Sequence, residues 1–185
     1  AETQAAALKA TQIAAMTTSQ IAKLSETNLA ALNSTQMAAL TATQTKALTN
    51  TQIGALTAAD VAEFSSAQLA ALSTGQMAAL TETNMTSLNE TQIAAFGASQ
   101  IARLGTEALS ALDATQMGAL TATQVKALTA TQMAALDATD VSEITATQIG
   151  ALSKTQLASL TQASLAGLTA TQVQTMSTTQ IQGFS

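Results

Sequence analysis

Two pairs of carboxylates are the residues of this sequence with the clearest capacity for chemistry. Asp60 and Glu63 are three residues apart, and Asp140 and Glu143 repeat that spacing. Residues at positions i and i+3 lie on one face of a helix. Each pair could therefore bind a cation or supply one acid and one base.

A lysine lies seventeen residues before the glutamate of each pair, which offers an alternative to metal binding. Lys46 precedes Glu63 by this distance, and Lys126 precedes Glu143. Hard cations such as calcium require six or more oxygen ligands, more than two carboxylates provide. We therefore favour ion pairs, which contribute little stability when exposed, and we retain Lys46, Lys126 and the four carboxylates as candidate partner-facing residues.

The composition excludes several classes of function. The 185 residues carry a net charge of -5, only 9% are charged, and cysteine, histidine, tryptophan, tyrosine and proline are absent. The basic residues are scattered singly, whereas nucleic-acid binding needs a clustered basic surface. No apolar run reaches the length of a membrane span. We expect a protein that is not an enzyme, with no cofactor, no metal, no nucleic-acid partner and no membrane insertion.

The whole chain is built from one eight-residue phrase. Counted from residue 1, it contains 23 complete octads, numbered here 1 to 23 with slots one to eight, followed by Ser185. Slot eight is always large and apolar, slot five is so in 21 octads, and slot four is Gln in 17. Slots six and seven are mostly small. A repeat of this regularity predicts one array spanning residues 1–185.

Slot one indicates where each helix begins. From Thr17 onward this slot holds only Thr, Ser, Asn, Asp or Gly, the residues preferred as helix N-caps. With Gln three positions later, the cap side chain can accept from the slot-four N–H while the Gln side chain accepts from the cap N–H. Asp60 and Asp140 occupy slot four in the same role. Slot-four side chains could also form a ladder between coils.

The spacing of slots five and eight distinguishes the possible secondary structures. In one continuous helix the apolar stripe would rotate by roughly 80° per octad and bury nothing. In a strand the two slots would point to opposite faces. We therefore predict an all-α solenoid or superhelix of very short helices, of about two turns or seven residues, one per octad. Such helices are stable only when stacked.

The number of octads per coil is less clear from the sequence. If two octads form one coil, the lysines and glutamates described above lie on stacked helices, and the array is roughly 100 Å long. In a coil of three octads they would not be paired. A longer repeat also exists, because residues 80 apart align, with Lys46 on Lys126 and Asp60 on Asp140. This indicates a duplicated block of ten octads.

The octad resembles repeats of a known kind. The phrase L-[ST]-x-x-Q-[IVM]-x-x-L, as in LTATQVKAL at 120–128 and LTATQMAAL at 128–136, resembles Thr/Gln-rich octapeptide tracts of large bacterial surface and adhesin-like proteins. The resemblance covers the entire chain. It implies a bacterial, exported or cell-surface scaffold. Because the N-terminal AETQAAAL is already in repeat register, we expect the chain to be a segment of a longer one, whose partners are the neighbouring domains.

Two functions follow as hypotheses. The first is a structural spacer or stalk, favoured by the uniformity of the repeat. The second is a binding solenoid that presents an exposed face to a protein or glycan partner, with ice binding by the regular threonines as a variant. Its candidates are the residues that depart from the repeat: Lys23, Lys46, Asp60, Glu63, Arg103, Gln174 and Gln182.

Overall fold

The computed structural model describes residues 5–184, and this part of the chain is helical with no strand. The first half of octad 1, including Ala1 in slot one, and Ser185 lie outside the described residues. Each of octads 2 to 23 contains one α-helix of four to six residues, and octad 23 adds a 3₁₀ turn at Gln182–Phe184. The predicted all-α solenoid is confirmed. The α-helices are Ala10–Ala15, Thr18–Ala22, Glu26–Ala30, Ser34–Ala38, Ala42–Ala47, Asn50–Gly54, Ala58–Ala62, Ser66–Ala71, Thr74–Met77, Glu82–Thr86, Glu90–Ala95, Ala98–Ile101, Thr106–Ser110, Ala114–Ala119, Ala122–Lys126, Ala130–Ala135, Ala138–Glu143, Ala146–Ala151, Lys154–Ala158, Gln162–Leu165, Ala170–Thr175 and Thr178–Ile181.

The helices are shorter than the seven residues predicted, because slot eight lies outside them. Leu120 in slot eight has φ -60° and ψ 127°, and Thr121 in the next slot one has φ -69° and ψ 158°. Both are extended conformations of the polyproline II type. Two consecutive extended residues therefore form the corner between helices, which leaves at most six residues of each octad in helical geometry.

One turn of the solenoid holds between three and four octads. The helices that contact each other are three octads apart, for example those of octads 6 and 9 or octads 19 and 22. The slot-four amide of an octad reaches the backbone of the fourth octad before it, as Gln124 does at Ile93 and Phe96. Of the alternatives that the sequence left open, the coil of two octads is therefore excluded. With helices packed at ~8 to 10 Å, the array is roughly 45 to 75 Å long.

The core is a continuous column formed by slots five and eight. The slot-five side chains of octads 2 to 20 are all buried, and most are completely inaccessible to solvent. The slot-eight side chains of octads 4 to 20 are buried beside them. Thr45 takes slot five of octad 6 without disrupting the column, because its hydroxyl donates to the Thr41 carbonyl at 3.1 Å. Small residues in slots six and seven lie toward the outside.

We expect the N-cap hydroxyls to stabilise this fold. Thr129 Oγ1 accepts from the Gln132 N–H at 3.2 Å, so Thr129→Ala leaves that N–H without its cap while the bond from the backbone N–H of residue 129 to Gln132 Oε1 remains. We expect the free energy of unfolding to fall by about 1 kcal/mol in chemical denaturation. Thr131, exposed in slot three of the same octad, provides the matched control. Equal effects of Thr129→Ala and Thr131→Ala would contradict the capping role.

Candidate functional site

The slot-four side chain joins each octad to the preceding turn of the solenoid. In octad 16, Gln124 Oε1 accepts from the Thr121 N–H at 2.6 Å. Its Nε2 donates to the carbonyls of Ile93 at 2.9 Å and Phe96 at 2.8 Å, 31 and 28 residues earlier. One buried amide thus caps its own helix and holds the carbonyls where the helix of octad 12 ends. Both roles considered for the glutamines, capping and an inter-coil ladder, are present.

The same connection repeats along nearly the whole array. Shorter side chains make part of it: Asn84 Nδ2 donates to the Leu56 carbonyl at 3.0 Å, and Ser164 Oγ donates to the Leu136 carbonyl at 2.6 Å. The glutamines that donate to the fourth preceding octad are Gln36, Gln44, Gln52, Gln68, Gln76, Gln92, Gln100, Gln116, Gln124, Gln132, Gln148, Gln156, Gln172 and Gln180.

The ladder lacks its amide at octad 14, where slot four is Ala108. No side-chain donor can reach back from this position, and Gly105 provides no cap side chain. An open groove of about 440 Å³ lies here, lined by residues 78–82 and 105–108. This groove lies where one octad lacks both the slot-four amide and the slot-one cap side chain.

Asp60 and Asp140 occupy slot four as predicted from the sequence. Asp60 Oδ2 accepts from the Thr57 N–H at 2.9 Å, and Asp140 Oδ2 accepts from the Asp137 N–H at 2.9 Å. Both side chains are buried, at 8% and 6% exposure. An ionised carboxylate has no proton to donate. These two residues therefore cap their helices but cannot make the donor half of the ladder.

Burial and neighbouring carboxylates raise the pKa values of Asp140 and Glu143. Burial raises the pKa of Asp140 above its ordinary value, and the Asp137 charge adds to this effect, while hydrogen bonds from the Asp137 backbone and the Ser110 side chain oppose it. The pKa of Glu143 is raised by desolvation and then by Asp140, Asp113 and Asp137.

Fewer neighbouring charges affect Glu63 of the first carboxylate pair than Glu143 of the second. Desolvation, followed by the Asp60 charge, raises the pKa of Glu63. Comparing the two ten-octad blocks of the sequence did not predict that Asp113 and Asp137 lie near Glu143. These two aspartates are 24 residues apart, which is three octads. They could have been found only if the three-octad contact period of the solenoid had been known.

The expected ion pairs between Lys46 and Glu63, and between Lys126 and Glu143, were wrong. The neighbouring charges that raise the pKa of the two glutamates are those of aspartates. Octad 9, rather than octad 8, packs against octad 6, so the seventeen-residue spacing does not bring the charges together. Lys46 is exposed beside a shallow groove of about 490 Å³, and Lys126 is exposed on its own helix.

The six predicted residues therefore form two carboxylate pairs on different helices, with the lysines placed separately. Across residues 5–184, no group of three or more His, Cys, Asp or Glu side chains is arranged to hold a metal ion. The helices described in that range are all too short or too polar to cross a bilayer. The threonines of slot one direct their hydroxyls to backbone N–H groups, as at Thr41 and Thr121.

Replacing the buried Asp140 carboxylate by its isosteric amide tests how much stability is lost because this side chain cannot donate a hydrogen bond to the fourth preceding octad. In Asp140→Asn, the new amide can donate to the Leu112 carbonyl, 28 residues earlier, as Asn84 does to Leu56. We expect the free energy of unfolding at neutral pH to rise by about 1 kcal/mol, measured by chemical denaturation.

The pH dependence of this gain follows from the direction of the pKa shift. The folded-state pKa of Asp140 is raised, so its protonated form stabilises the fold below the ordinary value of 3.8, and this contribution is lost as pH rises through the folded pKa. The advantage of Asp140→Asn should therefore shrink on acidification. A gain that is absent at neutral pH, or that grows in acid, would contradict this account. Thr139→Asn, at an exposed position of the same helix, is the control.

Comparison with known proteins identifies a related repeat over part of the chain. The profile of a family described as the ALTTAQ repeat matches residues 53–90. Taken as amino acids, these six letters correspond to slots seven, eight, one, two, three and four, as in ALSTGQ at 71–76. They therefore cover the corner between helices and the cap. Neither a curated protein nor a solved structure gives a significant match to the chain.

Proposed function

We propose that this chain is a non-enzymatic structural module that acts as an extended spacer or stalk within a larger bacterial surface protein. The observation that carries the proposal is the repetition of one connection, a slot-four amide bound to the fourth preceding octad, from Gln36 to Gln180. Each added octad extends the same column. The length of such an array is set by the number of octads, which is the property that a spacer needs.

The use of the polar side chains also supports a structural role. From octad 5 onward the slot-four amides are buried in backbone contacts, and slot-one hydroxyls cap helices, so the most frequent polar groups of the repeat act within the fold. The residues left on the outside are mainly small. The proposed location at the cell surface rests on a separate argument, the resemblance of the octad to adhesin-like tracts. The partners of such a module are the domains that it separates.

Removing one whole block tests the spacer function. Deletion of residues 41–120 removes ten octads and joins octad 5 to octad 16. Octad 5 is equivalent to octad 15 in the 80-residue repeat, so the new junction resembles the one between octads 15 and 16. We expect the variant to remain helical by circular dichroism. Its maximum dimension in small-angle X-ray scattering should fall to about 13/23 of the original. A variant that unfolds, or whose length is unchanged, would contradict the proposal.

The surface location needs a separate test. Antibodies against the folded array should label intact cells that produce the protein, and an external protease should remove the label without lysis. Labelling that appears only after permeabilisation would reject the surface assignment while leaving the spacer architecture intact.

A further inference from the structure

The groove at octad 14 lies where the array lacks one carboxamide group. In octad 12, Gln92 Nε2 donates to the carbonyls of Ala62 at 2.8 Å and Phe64 at 2.7 Å, 30 and 28 residues earlier. Gln116 of octad 15 makes the equivalent contacts with its own preceding turn. Slot four of octad 14 is instead Ala108, whose side chain ends at Cβ. The position that a slot-four amide takes in octads 12 and 15 is therefore not filled by a side chain of octad 14.

The carbonyl groups opposite Ala108 have no protein donor. The residues 30 and 28 positions before it are Ala78 and Leu80, and within residues 5–184 neither carbonyl accepts a hydrogen bond. Both residues line the groove of about 440 Å³, a volume within the range of ligand-binding pockets, roughly 300 to 1,000 Å³. The preceding turn therefore offers two acceptors to a ligand in the groove.

The octad 14 side of the groove offers a backbone donor. Gly105 is the slot-one residue of this octad, and its N–H has no acceptor in the described part of the chain. In octad 13, which also begins with glycine, the equivalent N–H of Gly97 donates to Gln100 Oε1 at 2.6 Å. A Cβ added to Gly105 would meet no atom within 4 Å. The space beside Gly105 is therefore open, and a ligand can reach its N–H.

This combination of donors and acceptors selects one chemical group. Ammonium and guanidinium groups have no acceptor for the Gly105 N–H, and a carboxylate has no donor for the two carbonyls. Glu82 and Glu107, both exposed in the lining of the groove, also disfavour an anionic ligand. A primary carboxamide has two N–H donors and a carbonyl acceptor. It is also the group that fills the equivalent position in octads 12 and 15.

We propose that the groove at octad 14 binds a primary carboxamide supplied by another molecule, the group that glutamine and asparagine side chains carry. The two N–H groups of the ligand donate to the carbonyls of Ala78 and Leu80, and its oxygen accepts from the Gly105 N–H. The ligand thereby makes the contacts that Gln92 and Gln116 make within the chain. A spacer needs no such site, so this binding is a property beyond the proposed function.

Titration followed by the NMR signals of backbone amides tests this inference. The two probes are propionamide and N-acetylglutamine N′-methylamide, which carry the carboxamide on a small molecule and on a peptide unit. We expect saturable shifts in the signals of Gly105 and of Thr81, whose nitrogen belongs to the same peptide group as the Leu80 carbonyl. N,N-dimethylpropionamide, which lacks the N–H donors, and propylammonium, which lacks the acceptor, should leave both signals in place.

Ala108→Gln supplies the carboxamide from within the chain and should abolish the saturable shifts. In this variant without ligand, the Gly105 signal should move in the same direction as when a probe binds to the unmodified chain. Thr123→Gln, at an exposed position of octad 16, adds the same side chain away from the groove and should leave probe binding unchanged. Circular dichroism establishes that both variants are folded.

The two probes also distinguish the source of the ligand. Saturable shifts with propionamide show that the carboxamide alone is sufficient, and shifts with only the glutamine compound show that the ligand is a polypeptide side chain. Either result supports the proposal. It is overturned if neither probe shifts these signals saturably, if propylammonium shifts them as the carboxamides do, or if Ala108→Gln binds the probes like the unmodified chain.

Discussion

Gln124→Ala is expected to lower the free energy of unfolding by roughly 3 kcal/mol, because one side chain makes three connections. The change removes the acceptor for the Thr121 N–H and the donor to the Ile93 and Phe96 carbonyls. It also leaves a cavity between two turns. Chemical denaturation followed by circular dichroism measures the loss.

Gln20 supplies the matched comparison, because it caps its helix but is exposed in the first turn. Its Oε1 accepts from the Thr17 N–H at 2.7 Å, so Gln20→Ala removes the cap alone and should cost about 1 kcal/mol or less. Gln124→Glu retains the capping oxygen and removes the donors, so it should remain strongly destabilising at neutral pH. If the alanine substitutions at 20 and 124 cost the same, the inter-turn bonds of Gln124 contribute nothing.

Gly167→Ala is expected to destabilise the protein by roughly 3 kcal/mol, because the backbones of two turns meet at this position. A Cβ atom on Gly167 would lie 1.9 Å from the Ala138 carbonyl oxygen and 2.7 Å from its carbon. These are backbone atoms and cannot rotate away. The short side chain of Ser164 in the same octad, whose hydroxyl donates to Leu136 at 2.6 Å, allows this close approach where glutamine would hold the turns further apart.

Gly118 is the control for the loss of a glycine, because the nearest atom to its added Cβ is Thr145 Cγ2 at 3.8 Å. Gly118 lies inside a helix, so Gly118→Ala should raise the free energy of unfolding by roughly 0.5 to 1 kcal/mol. The double variant Ser164→Gln with Gly167→Ala restores the usual octad and should be less destabilised than Gly167→Ala alone. A Gly167→Ala protein as stable as Gly118→Ala would show that no close approach exists there.

The fold class could be predicted because local signals in each octad agree. Slot one carries cap residues, slot four carries a reciprocal acceptor, and slots five and eight share a helical face, so helix start and buried face follow from four slots. The end of the helix was predicted less well. Leu120 and Thr121 both adopt extended geometry at the corner, and the apolar character of slot eight gives no sign that it has left the helix.

The number of octads per turn could not be predicted, because the pattern of slots five and eight is the same whatever number of octads forms one turn. The only measure in the sequence was the spacing of Lys46 and Glu63, and exposed ion pairs are too weak to determine packing. The amide ladder determines it instead, through a reach of 28 to 31 residues that depends on the path of the whole coil. For the candidate site, the capping roles of Asp60 and Asp140 were predictable, whereas the approach of Asp113 and Asp137 to Glu143 required the three-octad contact.

The most direct test of the account is the distance between turns, and the absence of cysteine from the sequence makes it simple to measure. Spin labels can be placed on Thr43, Ala59 and Ala67, the exposed slot-three positions of octads 6, 8 and 9. Because octads 6 and 9 pack together, double electron–electron resonance should give a shorter distance for the pair 43 and 67 than for the pair 43 and 59. The reverse order would place two octads in each turn and contradict the architecture described.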